Sequence, residues 1–131
     1  MKIVVVGGCF DILHPGHIYF LTQAKKLGDK LVVLLESDAR ARKLKGQDRP
    51  INPQEKRANA LLAVESVDEV INLPDNPDFP EIIKKINPSI IAVTAGDENL
   101  SKKQVYDIPI VKIPFLPGFS TTNILESGKT P

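Results

Sequence analysis

The sequence predicts an α/β domain, a doubly wound parallel sheet of about five strands with helices on its faces. Three observations point there. Short runs of β-branched and other apolar residues recur along the chain and read as buried strands. Segments with helical apolar spacing lie between them, and this alternation is the pattern of parallel sheets with right-handed crossovers. The length, 131 residues, suits one domain over 1–131 with a single core.

Ile3-Val4-Val5-Val6 reads as the first strand. A glycine-rich turn leads from it into a helix with Pro15 in its first turn and apolar spacing over 18–27, which Gly28 stops. Residues 30–36 read as a second strand, buried on both faces. Ser37 and Asp38 can cap the next segment, and Arg40, Arg42, Lys43 and Lys45 form a basic cluster before Gly46. Asn52-Pro53-Gln54-Glu55 carries a helix-start pattern, with Asn52 as cap and Pro53 in the first helical position, for a helix running to about Val64. Residues 67–71 give a short, weaker strand. A turn-rich connection over 75–80 enters a helix over 81–86, which Asn87-Pro88 ends. Residues 89–94 form another core strand that finishes at Ala95-Gly96-Asp97. Residues 108–113 read as a last strand near the sheet edge, where Pro109 costs least. Residues 118–125 look like a turn into a capped terminal helix.

Composition narrows the function. Net charge is +1, with 25% charged and 42% hydrophobic residues, as in an ordinary soluble globular protein. No basic excess drives sequence-blind nucleic-acid binding, and without Trp and with few aromatics there is no stacking platform for RNA. A single cysteine excludes an internal disulfide and suits a reducing compartment. The N-terminal apolar run is too short for a signal peptide or a membrane span, so a cytoplasmic protein is expected.

The chemistry concentrates between Gly7 and His17. His14 and His17 are the only histidines, three residues apart where a strand turns into a helix. A helix start offers free N–H groups and the positive end of the macrodipole, which suits phosphate. Gly7 and Gly8 let a ligand approach the backbone without Cβ interference, and Gly16 leaves room between the imidazoles. A zinc reading through Cys9, His14 and His17 lacks a fourth ligand nearby. In a parallel sheet ligands sit beyond the carboxyl ends of the strands, where strand order reverses. Residues 7–17, 36–45 and 94–97 all fall at such ends, and the loop at 115–120 can join them.

Gly8-Cys9-Phe10-Asp11-Ile12-Leu13-His14-Pro15-Gly16-His17 resembles the G-x-F-D-x-x-H-x-G-H signature of the cytidylyltransferase-like nucleotidyltransferases. Ser120-Thr121-Thr122-Asn123-Ile124 resembles their second signature, S-T-T-x-I, at the entrance of the last helix. Leu44-Lys45-Gly46, Arg49-Pro50-Ile51-Asn52-Pro53 and Glu55-Lys56-Arg57 are similar to the adenylyltransferase domain of bifunctional heptose kinase/adenylyltransferases, and Val67-Asp68 and Gly96-Asp97 fall at matching points. The likeness covers nearly the whole chain and implies a Rossmann-like fold.

That resemblance implies nucleotidyl transfer, in which an acceptor phosphate attacks the α-phosphorus of a nucleoside triphosphate and pyrophosphate leaves. Such a reaction needs positioning and donors aimed at the phosphoryl oxygens. His14 and His17 would supply those donors, and Lys45 or Lys43 would neutralise phosphate charge. Gly8, Cys9, Phe10, Asp11, Gly16, Gly96, Asp97, Ser120, Thr121 and Thr122 would bind the nucleotide. Arg57 would touch the acceptor or a phosphate, or else hold the site from behind. Mg²⁺ is the implied cofactor, with Asp11 its candidate carboxylate, against a reading of Asp11 as a turn cap. A homodimer is the family habit.

Phe115-Leu116-Pro117 stands where glycerol-3-phosphate cytidylyltransferases carry an Arg, so ATP and a heptose-type sugar phosphate are favoured over CTP. The alternatives are an FMN adenylyltransferase, a glycerol-3-phosphate cytidylyltransferase, a nucleotide sensor without transfer, and a structural subunit of a separate kinase.

Overall fold

A computed structural model describes residues 1–95 and 106–116. The elements are β1 (Ile3–Gly8), α1 (Pro15–Lys25), β2 (Lys30–Leu35), α2 (Asp38–Lys45), α3 (Gln54–Leu62), β3 (Glu69–Asn72), α4 (Phe79–Ile86), β4 (Ile90–Thr94) and β5 (Ile110–Ile113). The five strands form one sheet in the order β3-β2-β1-β4-β5, and every neighbouring pair is parallel. This is the expected doubly wound, Rossmann-like sheet. The chain builds outward from β1 through β2 to β3, then crosses back to place β4 on the other side of β1. Strand order therefore reverses between β1 and β4, and the crevice there opens at the ends of Gly8 and Thr94.

Strand alternation divides the core into two layers. Val4, Val6, Leu31, Val33 and Leu35 face Phe20, Leu21 and Ala24 of α1 and Ala58 and Leu61 of α3. Val5, Val32, Leu34, Ile91 and Val93 face the other way, onto Ile83 of α4. The central strands are apolar on both faces because both faces are covered. β5 lies at the edge, as Pro109 suggested, although pairing starts only at Ile110.

Helix boundaries depart from expectation where a distant or local side chain changes the cap. α1 keeps its expected start, with Pro15 in the first turn, and His14 caps it: its Nδ1 accepts from the Gly16 N–H at 3.0 Å. At α3 the cap position belongs to Pro53, not Asn52, and Pro53 offers no side-chain bond. Asp38 serves instead, its Oδ1 accepting from the Gln54 N–H at 2.9 Å. Asn52 is turned away toward Asp11. α3 ends at Leu62, and β3 starts two residues later than expected, at Glu69. α4 starts two residues earlier than expected, at Phe79, through its Asp78 cap and closes on Asn87 in the left-handed conformation. The expected terminal helix over 118–125 lies outside the described residues.

Candidate active site

The turn after β1 is shaped by close packing. Phe10 has φ of +45° and is 1% exposed, which folds its ring back against Gly8. A Cβ on Gly8 would stand 2.8 Å from the Phe10 ring, so only glycine fits there. The same ring meets His17 edge-on, with centroids 5.5 Å apart. Cys9 is also 1% exposed. Both Cys9 and Phe10, expected as nucleotide-binding residues, thus send their side chains into the protein and leave only backbone to a ligand.

The two imidazoles lie one on the other, with ring centroids 3.9 Å apart and planes inclined by 29°. With Nδ1 of His14 accepting from Gly16, the proton of its neutral ring sits on Nε2, which makes that atom a donor. His17 is 1% exposed. The backbone of Ile12 is a polar neighbour, yet neither ring nitrogen completes a well-formed hydrogen bond with the described residues. A buried polar group left so costs about 1–3 kcal/mol, which calls for a functional explanation. Burial, followed by the His14 and Lys45 charges, drives the His17 pKa down to about 3. The ring is therefore neutral at physiological pH and retains one N–H to donate.

The lowered value makes folding stability depend on pH. Between pH 6.5 and about 3 the unfolded chain binds a proton at this position that the folded chain refuses. The stability contribution is full above 6.5 and falls with pH at about 1.4 kcal/mol per unit through that window. Acid titration of the unfolding free energy should show this limb, and His17→Phe should flatten it; an unchanged limb in the variant would refute the assignment.

His14, Gly16 and His17 line one wall of a cleft, with Phe20 beneath and Thr94, Ile113 and Phe115 opposite. The cleft thus straddles the reversal point between β1 and β4. Lys45 is the cation that α2 brings toward the site. Burial lowers its pKa, and its charge acts on both Cys9 and His17. Lys43, two residues earlier, lies on another side of α2.

Two expected ligand contacts turn inward instead. Arg57 is fully buried, out of reach of a ligand: Nη1 donates to the carbonyls of Cys9 at 2.8 Å and Glu36 at 3.0 Å. Its Nε donates to the Asn52 carbonyl at 2.9 Å, and Nη2 to Asp38 Oδ1 at 2.6 Å. It holds the site from behind and does not meet a phosphate. Asp11, 8% exposed, accepts at Oδ2 from Ile51 N at 2.7 Å and from Arg49 Nη1 at 3.1 Å. Its Oδ1 takes the Asn52 N–H at 2.9 Å. Burial pushes its carboxyl up, but the Ile51 and Asn52 N–H groups and the Arg49 guanidinium outweigh that and hold it below the ordinary value.

Asp11 is thereby a clamp on residues 49–52, and a resident Mg²⁺ does not fit a buried carboxylate already facing three donors, one of them cationic. The zinc reading fares no better. Burial pushes the Cys9 thiol up, away from the thiolate a zinc site requires, and no group of three ligands converges among the described residues. Gly96, Asp97, Ser120, Thr121 and Thr122 lie outside the described residues. Asp38 and Asn52, read in the sequence as caps, and Arg49, read as part of a resembling stretch, prove to be the site's support. Nothing local to them marks this: Arg49 and Asn52 hold Asp11, and Asp38 holds Arg57.

Comparison with known proteins agrees with this geometry. The cytidylyltransferase-like family model matches residues 5–126. The bifunctional protein HldE of Nitratiruptor sp. is 46% identical over 129 residues, 95% of this chain and 27% of that protein. HldE of Cronobacter sakazakii is 43% identical over 134 residues, again 95% of this chain and 27% of that one. The chain spans about a quarter of the length of the curated relatives it matches. A lipopolysaccharide core biosynthesis protein from Thermoplasma volcanium superposes with a TM-score of 0.73 at 30% identity, covering 88% of this chain and 97% of that one. A pantoate-beta-alanine ligase from Francisella tularensis, at 17% identity and a TM-score of 0.63 over 98% of this chain and 69% of its own, shares the fold alone. Among the described residues no helix is long and apolar enough to cross a membrane.

Proposed function

The chain belongs to the cytidylyltransferase-like family of nucleotidyltransferases, and from that premise we propose that it transfers AMP from ATP to a sugar phosphate of the heptose 1-phosphate type. An acceptor phosphate oxygen bonds to the α-phosphorus as the bond to the departing pyrophosphate breaks. The observation that carries the reading is the stacked histidine pair, with buried His17 nitrogens lacking a well-formed hydrogen bond among the described residues, at the point where strand order reverses. His14 Nε2 and the neutral His17 ring donate to oxygens that gain charge in the transition state. Lys45, at the end of α2, offsets triphosphate charge beside them.

Gly16 admits the phosphates close to the backbone. Gly8 contributes through its backbone alone, since Phe10 fills the space a side chain would take. Gly96, Asp97, Ser120, Thr121 and Thr122 complete the nucleotide contacts in this reading. Mg²⁺ enters with the triphosphate rather than on Asp11. The preference for ATP and for a heptose acceptor rests on likeness to the HldE proteins. A cytoplasmic homodimer belongs to the same proposal.

The test is pyrophosphate release with Mg²⁺, crossing ATP and CTP against heptose 1-phosphate, FMN and glycerol 3-phosphate. Release with ATP and heptose 1-phosphate is expected. Release only with CTP would overturn the base and leave the mechanism standing. Tight nucleotide binding with no release from any pairing would favour a sensor.

A further inference from the structure

Arg57 gathers four acceptors that belong to different parts of the fold. The Cys9 carbonyl starts the turn that carries His14 and His17, and the Glu36 carbonyl lies just past the end of β2. Asp38 opens α2, whose far end is Lys45, and the Asn52 carbonyl ends the segment clamped by Asp11. A guanidinium presents its donors in a fixed planar fork, so these bonds fix angles as well as distances. The Glu36 N–H to Gly8 carbonyl bond at 3.0 Å holds the strands together but does not reach α2. Arg57 joins the histidine turn directly to an α2 side chain.

We propose that Arg57 is a positioning residue that sets the placement of the histidine turn relative to the lysine end of α2. The inference rests on the nucleotidyl-transfer reading for its kinetic consequence, while its structural consequence stands apart from turnover. Displacing two catalytic groups by about 1 Å can cost roughly 10²-fold in rate. Ground-state nucleotide contacts made by backbone groups are less sensitive to such a shift.

The test compares wild type with Arg57→Lys, which keeps a cation for Asp38 but loses the fork, and with Asp38→Asn, which removes the charge pair. Asp38 is 39% exposed at its side chain, so this second variant disturbs the core least. Ile83→Ala, a core truncation in α4 on the opposite face of the sheet, controls for lost stability. Each is assayed below its unfolding transition for kcat, nucleotide KM and the backbone amide spectrum.

Arg57→Lys is expected to lower kcat by about 10²-fold with nucleotide KM changed less than about threefold. Amides of residues 9–17 and 38–45 should shift together in both Arg57→Lys and Asp38→Asn, but not in Ile83→Ala. Unmoved amides with wild-type kcat in Arg57→Lys would overturn the proposal, as would an equal kcat loss in Ile83→Ala. If wild type releases no pyrophosphate yet the two groups of amides move together, the coupling stands and the transfer reading fails.

Discussion

His17→Ala is expected to lower the rate of pyrophosphate release by about 10²–10³-fold, the loss seen when one preorganised transition-state donor is removed. The size reflects where the ring is kept. It is 1% exposed and neutral, and among the described residues it makes no well-formed hydrogen bond that would explain its burial. Its polar atoms therefore do little for the resting fold, so nucleotide affinity should stay within about tenfold of wild type. Steady-state kinetics beside calorimetric nucleotide binding checks this. A variant that loses affinity and rate in equal measure would make His17 a ground-state contact. His14 differs because its Nδ1 also caps α1. His14→Asn retains an acceptor for the cap and should slow the reaction with little loss of stability, whereas His14→Ala should also cost about 1 kcal/mol.

Gly8→Ala is the second large effect, and it acts through Phe10. The new Cβ would stand 2.8 Å from the Phe10 ring. That ring cannot withdraw, because its backbone is already in the left-handed region and its far side is packed in the core with Val6, Phe20 and Leu21. Overpacking of this kind costs about 1–3 kcal/mol. The displaced ring pushes on His17, its edge-on neighbour, so the rate should fall by about tenfold or more even where the protein remains folded. Gly7→Ala is the control: its Cβ would meet the Leu34 carbonyl at 3.7 Å, an ordinary contact. Denaturant unfolding and kcat measured on both variants decide the matter, and equal behaviour of the two would refute the packing argument.

The alternation of strands and helices, the parallel sheet, the edge position of β5 and the histidine pair at the β1–α1 turn could all be read along the chain. Each is encoded locally. Val4 and Val6 alternate with Val5 because a strand has two faces, and Pro15 and Gly16 sit where a helix can start. The paired histidines stood out because three residues bring two side chains to one side of a helix start. Boundaries failed where a cap came from elsewhere, as at α3, where Asp38 replaces the expected Asn52.

Where Asp11, Lys45 and Arg57 lie was decided only by tertiary structure. A carboxylate in a glycine-rich turn reads equally well as a metal ligand or a cap until its partners, about forty positions away, are known. Arg57 reads as a phosphate contact or as a support from behind until it is seen to lie 48 residues from Cys9 in sequence and 2.8 Å from its carbonyl in space. Hydrophobic period and turn chemistry act within a few residues, so sequence carries them directly. Hydrogen bonds between distant segments exist only once the crossovers have brought strand ends together, and those bonds divide the charged residues between ligand and scaffold.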